Sequence, residues 1–172
     1  MTRMRINRRI AAALAATALL GAAGAGAAQA APAAAAGGSA PSACRPANHL
    51  AKIAKAPNSA GHHHYRVTLT APRGYDACRL AGSPTDVRFS HHGVTTRGTA
   101  GHYGNQRTAV TFGPGHPVHF DIQVPNRGRA TSADEVAFTL QAPGGQIPGT
   151  SFADGNLKVA AGTLVGPVQR GA

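Results

Sequence analysis

Acidic side chains are scarce in this chain. Its 172 residues hold six Asp and Glu against 17 Lys and Arg. A glycosidase needs two carboxyl groups at a set separation, and would have to draw them from Asp76, Asp86, Asp121, Asp134, Glu135 and Asp154. Other catalytic signatures are missing: there is no Gly-x-Ser-x-Gly elbow, no His-Glu-x-x-His helix and no glycine-rich phosphate loop. Asp121 and His119 fall on one strand face and could pair as a base and its orienter, although a surface ion pair is the simpler reading. The expectation is a protein that is not an enzyme and carries no cofactor.

Aromatic rings are also few, three Tyr and five Phe. Phe89, Phe112, Phe120 and Phe138 each share a strand face with Val, Ile or Leu. They are expected in the core, where each such side chain stabilises by about 1.5 to 3 kcal/mol. That leaves Tyr75, Tyr103 and Phe152 for loops, a poor stacking surface for bases or sugars. Specific nucleic-acid recognition is therefore not expected.

What is present begins with an export signal. Arg3, Arg5, Arg8 and Arg9 precede an apolar run from Ile10, and Ala28-Gln29-Ala30 forms a small-residue cleavage site, so residues 1–30 read as a signal peptide. The rival is an uncleaved anchor, because Ile10 to Ala28 is uncharged and approaches the roughly 20 residues that span a bilayer. That run is mostly Ala and Gly, so it would insert weakly. Cleavage leaves no transmembrane anchor and an extracellular protein, with the cell wall as a place it could associate. Residues 31–43 (APAAAAGGSAPSA) lack any large apolar residue and read as a flexible tether, and residues 44–172 as one domain.

Cleavage would take four arginines and no acid from a chain of net charge +11, leaving +7. Outside a cell such a surface attracts wall polymers, anionic lipid headgroups or extracellular nucleic acid. The plain alternative is charge that only keeps the domain soluble. The expected partner is an anionic cell-wall polymer or another exported protein, with Arg97, Arg107, Arg127 and Arg129 as candidate polyanion contacts. Cys44 and Cys78 are the only cysteines of an exported chain, and the expectation is one disulfide rather than a metal site or a nucleophile.

From His64 onward the pattern is strand and turn. Tyr65, Val67 and Leu69 alternate with Arg66, Thr68 and Thr70. Val87 and Phe89 precede a His91-His92-Gly93 turn, and Val110 and Phe112 precede Gly113-Pro114-Gly115. Val118, Phe120 and Ile122 follow, then Val136, Phe138 and Leu140, then a long polar loop to Leu157-x-Val159, and Leu164 to Val168 closes the chain. In His49 to Lys55, Leu50, Ile53 and Ala54 fit a helical turn, and a short edge strand fits nearly as well. Short strands at near-regular spacing predict an all-β fold, an antiparallel, immunoglobulin-like β-sandwich of about seven to nine strands.

Three segments together carry a family resemblance: Arg66-Val67-Thr68-Leu69-Thr70, Cys78-x-Leu80-x-Gly82-x-Pro84, and Val110-x-Phe112-x-Pro114-Gly115. They resemble a secreted actinobacterial family known as domain of unknown function 4232, with Phe138 to Gly144 and Leu164 to Val168 filling its last two places. The likeness covers Cys44 to about Gln169. It departs in having no second cysteine pair, Ala71 where asparagine is frequent and Ser83 where an aromatic is frequent. The resemblance implies secretion and a β-sandwich, and no assigned chemistry.

Histidine is the oddity, with nine in the chain. His62 and His64 share a face with Arg66, and imidazoles two apart on a strand can chelate a borderline metal. His91 and His92 sit at a turn. The competing expectation is therefore an extracytoplasmic Cu or Zn binder using His62, His64, His91 and His92; a solvated polar face is the plainer one. No acid at ligand spacing joins these histidines in the sequence.

Overall fold

The structure is a computed structural model that describes residues 40–96 and 99–172. The expected leader, the tether up to residue 39 and Arg97 lie outside the described residues. A 3-10 turn at Pro46–Asn48 precedes β1 (Leu50–Ser59), β2 (His62–Thr70), β3 (Cys78–Ala81), β4 (Thr85–His91) and β5 (Val94–Thr95). Then come β6 (Gly101–His102), β7 (Ala109–Phe112), β8 (Val118–Pro125), β9 (Thr131–Thr139) and β10 (Gln141–Ala142). β11 (Gly145–Gln146), β12 (Ser151–Val159), β13 (Leu164–Val165) and β14 (Gln169–Arg170) complete the described strands. No helix among the described residues is long and apolar enough to cross a membrane.

The main sheet has ten strands in the order β5-β4-β9-β12-β1-β2-β8-β13-β6, with β14 also on β8, while β3-β7 and β10-β11 form two small sheets. The all-β expectation holds. The antiparallel expectation is corrected at two places, because β1 lies parallel to β12 and β6 parallel to β13. The strand count of seven to nine is also too low, since several two-residue strands carry no alternation for a sequence to display.

The sheet curls. β8 stands four places from β9 in the order, which on a flat sheet would part them by about 19 Å. Yet the rings of Phe120 and Phe138 meet edge to face with centroids 5.1 Å apart. The inner faces of the two halves therefore oppose each other around one core, to which Val67, Leu69, Phe89, Phe112, Val136 and Val165 also contribute. The four phenylalanines expected inside are all at most 1% exposed.

Two expectations are corrected for physical reasons. Of the two readings of His49 to Lys55 the strand holds, but as a central strand rather than an edge: β1 has Ala51 and Ile53 buried and neighbours on both sides. The long polar loop before Leu157 is β12, also central, and Phe152 is an exposed strand residue rather than a loop one. Its inward positions hold Ser151 and Ala153, and Gly155 replaces a third side chain at a register shift. A Cβ on Gly155 would lie 2.5 Å from the Ile53 carbonyl oxygen, and its φ of +148° suits only glycine. Close approach of β1 demands the small residues that make β12 look like a loop.

Cys44 and Cys78 form the expected disulfide, with Cα atoms 6.0 Å apart. The backbone is engaged ahead of Cys44, where the Asp76 N–H donates to the Pro41 carbonyl and the Ala43 N–H to the Asp76 carbonyl. Cys78 begins β3, so the bridge ties the start of the domain to the small β3-β7 sheet. The Cys78-x-Leu80-x-Gly82-x-Pro84 run has a structural meaning here. Leu80 is fully buried, and Gly82 has a φ of +73° with the Gln106 carbonyl oxygen 3.0 Å from where a Cβ would sit. The Ser83 N–H then donates to Gln106 Oε1 at 2.6 Å, and its hydroxyl donates to the Val165 carbonyl at 3.0 Å.

Beside the bridge, His49 is buried edge to face against Phe112. Its Nδ1–H donates to the Ala43 carbonyl at 2.9 Å, so its Nε2 accepts the Ser151 hydroxyl at 3.0 Å. Burial holds the imidazole below its ordinary value of 6.5, against the opposing pull of the Ala43 and Arg45 carbonyls.

Two outcomes follow from this packing. A Cys44→Ser/Cys78→Ser chain, freed of a loop closed across 34 residues, is expected to lose about 4 kcal/mol in urea unfolding. A loss within error of zero would mean that the bridge constrains nothing. His49, with its folded pKa below its unfolded one, binds a proton more readily when unfolded. Its contribution is therefore complete above about pH 7 and is lost as pH falls through about 6.5 towards the lowered folded value. His49→Gln should show a shallower fall in stability than the unmodified chain over that window, and parallel curves would contradict the assignment.

Candidate functional site

Strand directions gather the candidate residues. β1, β4, β8 and β12 end, and β2 and β9 begin, at one end of the main sheet. That end carries His62 to His64 at the start of β2, Lys158 near the end of β12, and His91 and His92 at the tip of β4. Arg127 and Arg129, both exposed, lie in the loop that crosses it from β8 to β9, where the Asn126 N–H donates to the Gly61 carbonyl at 2.9 Å. Arg107 does not join them. It is exposed on the loop before β7, its N–H bonded to Asn105 Oδ1 at 2.9 Å.

A hollow of about 440 Å³ opens at this basic end, lined by Lys55, Asn58, His63, His64, Tyr65 and Lys158, with Ala56 and Pro57. No acid lines it. Tyr65 is its floor: the ring is buried and the phenol oxygen accepts the Lys158 N–H at 3.1 Å. That bond anchors β12 to β2 across β1 and fixes where Lys158 leaves the sheet. Lys55 is the register partner of Tyr65, so it stands beside the same ring. Four groups able to carry positive charge therefore border one concavity, where a low-dielectric wall strengthens attraction for an anion.

The two histidine pairs are not one site. Among the described residues the group whose ligand atoms converge is His91, His92 and Asp134, without His62 or His64. His62 and His64 do share a face with Arg66, opposite the buried Tyr65, Val67 and Leu69. Their rings are 6.5 Å apart, and His64 Nε2 is bonded to Ser59 Oγ at 2.7 Å. The pair belongs to the basic end rather than to a donor cluster with an acid.

His91 and His92 do have an acid. Antiparallel pairing of β4 with β9 sets Ser90 against Glu135 and brings Asp134 to the hairpin tip from 42 residues away. Asp134 Oδ2 lies 3.1 Å from His91 Nδ1 and 3.3 Å from His92 Nδ1. The His92 N–H donates to both carboxylate oxygens, at 3.2 and 3.0 Å, and this bond, aided by the two nearby imidazoles, holds the Asp134 carboxyl below its usual range against partial desolvation. Asp134 was invisible as a partner in the sequence because only the strand register places it there.

Asp121 and His119 lie on one face of β8 as expected, with separate commitments. Asp121 accepts Arg66 Nε and Nη2 at 3.0 and 3.4 Å, a partly buried ion pair that raises the Arg66 pKa. His119 donates Nδ1–H to the Gly171 carbonyl at 3.0 Å, beneath β14. Tyr103, half-buried, has its phenol pushed up by burial and then by the Asp121 charge.

A wider groove, about 950 Å³, runs beside the disulfide between the Pro46 turn and the segment from Ala142 to Thr150. Its lining is mostly apolar, and Arg45 and Arg79 are its only charged residues, so it offers no acid and base to one another. Comparison with family models, curated proteins and solved structures found no match to this chain.

Proposed function

We propose that this chain is an exported, non-enzymatic contact module whose basic sheet end holds an anionic polymer, with a cell-wall polyanion as the partner. The observation that carries this reading is the acid-free hollow bordered by Lys55, Lys158, His63 and His64. Arg127 and Arg129 extend the same positive end. Lysine ammonium groups meet phosphate or carboxylate as point charges on flexible stems, which suits a polymer of irregular conformation better than one defined small molecule. Contact of this kind is weak per charge and screened by salt.

The reading revises which residues matter. Arg107 stands apart from the hollow, and the lysines take the place that the arginines held in the sequence-based expectation. Export, an immunoglobulin-like sandwich and the resemblance to the secreted family belong to the same proposal. A disulfide close to the domain start and a nearly all-β framework support it.

Retention of the full chain on immobilised long-chain polyphosphate and on isolated wall material tests it. Elution is expected below about 0.5 M salt, as screening shortens the reach of each charge. Lys55→Glu/Lys158→Glu should elute at markedly lower salt. Lys52→Glu, on the outward face opposite Asp154, should elute close to the unmodified chain. Equal elution of the double variant and the unmodified chain, or retention indifferent to salt, would overturn the assignment.

A further inference from the structure

We propose that the β4–β5 hairpin and β9 together bind one borderline divalent transition-metal ion, Zn(II) or Cu(II), through His91 Nδ1, His92 Nδ1 and an Asp134 carboxylate oxygen. The site is separate from the polyanion-binding hollow and does not depend on it.

The backbone supplies the first argument. Successive residues of a strand point to opposite faces, so adjacent histidines should diverge. His92 instead has a φ of +49°, and with Gly93 at +77° it forms the two-residue turn between β4 and β5. Positive φ at both central positions is the hairpin geometry that matches strand twist. It swings the His92 ring back beside His91, with ring centroids 4.0 Å apart, so that both Nδ1 atoms face one carboxylate.

Distances supply the second. Zinc bonds of about 2.0 to 2.1 Å to nitrogen and oxygen set tetrahedral edges of about 3.4 Å. The His91 and His92 nitrogens lie 3.1 and 3.3 Å from Asp134 Oδ2, and the three ligand atoms all fall within 4.8 Å of one another.

Direction supplies the third. His91 Nδ1 is buried, and although the carboxylate is 3.1 Å away, it makes no hydrogen bond of acceptable angle. A hydrogen bond aims one atom at another, whereas two ligands of one cation aim at a common third point. Close approach without alignment is what shared coordination requires. Two imidazoles and one carboxylate suit Zn or Cu rather than Ca or Mg, which prefer all-oxygen shells. The His92 side chain is 82% exposed, which leaves the remaining coordination position to water or to a donor from another molecule.

The test is calorimetric titration of the full chain, carrying no polyhistidine tag, with ZnCl2 and with CuCl2. One ion per chain should bind with saturable heat in the micromolar range. His92→Gly keeps the turn conformation while removing a ligand, and Asp134→Asn keeps an acceptor for the His92 N–H. Each should weaken binding by at least the roughly tenfold that even an outer-shell loss costs, with an unchanged metal-free far-ultraviolet circular dichroism spectrum to show that the fold is intact. His62→Ala/His64→Ala should titrate like the unmodified chain. Absence of saturable heat below millimolar, unchanged binding in His92→Gly, or loss of binding only in the His62/His64 variant would each overturn the site.

Discussion

β1 and β12 are the neighbours through which β5-β4-β9 on one side joins β2-β8-β13-β6 on the other, and they run parallel at Ala51↔Ala153 and Lys52↔Asp154. Parallel strands cannot be joined by a tight turn, so this contact has to form between segments remote in sequence and without help from a hairpin. Small residues make it possible. Ala51 faces Ala153, and Gly155 lets the Ile53 carbonyl approach to a distance that any Cβ would forbid. Once the two halves are joined, the curl follows and Phe120 can reach Phe138. Without the junction there would be two separate pieces of sheet, each with one apolar face exposed to water.

The same junction determines what the surface can do. Because β12 runs parallel to β1, Lys158 leaves the sheet at the end where Lys55, His63 and His64 already stand, and the Tyr65 phenol locks it there. Because β9 runs antiparallel to both β4 and β12, Asp134 reaches the His91-His92 tip at that same end. The opposite end is occupied with holding the fold: the disulfide, the His49 contacts to Ala43 and Ser151, and the Gly82-Ser83 turn all lie outside the basic end. The bridge and the buried His49 contacts thus lie at one end of the strand axis, and the hollow and the His91-His92-Asp134 cluster at the other.

Much of this is legible in the sequence. The alternation Tyr65, Val67, Leu69 located β2 and its buried face, the four phenylalanines located the core, and His92-Gly93 and Pro114-Gly115 located turns. The two cysteines announced their bridge. What could not be read was whatever depends on pairing. β12 looks like a loop because its inward side chains are Ser, Ala and Gly, chosen for close approach rather than for apolar content. β1 looks ambiguous because alanine fits helix and strand patterns alike. Asp134, Lys55, Lys158 and His63 carry no local signature, since each gains its role only from what neighbouring strands bring beside it.

The central claim is the parallel β1–β12 junction, and nuclear Overhauser contacts measure it directly. The account predicts strong cross-strand contacts between the backbones of Ala51 and Ala153 and of Lys52 and Asp154, together with slow amide exchange along both strands. Absence of those contacts, with β1 amides exchanging as rapidly as those of an edge strand, would contradict it.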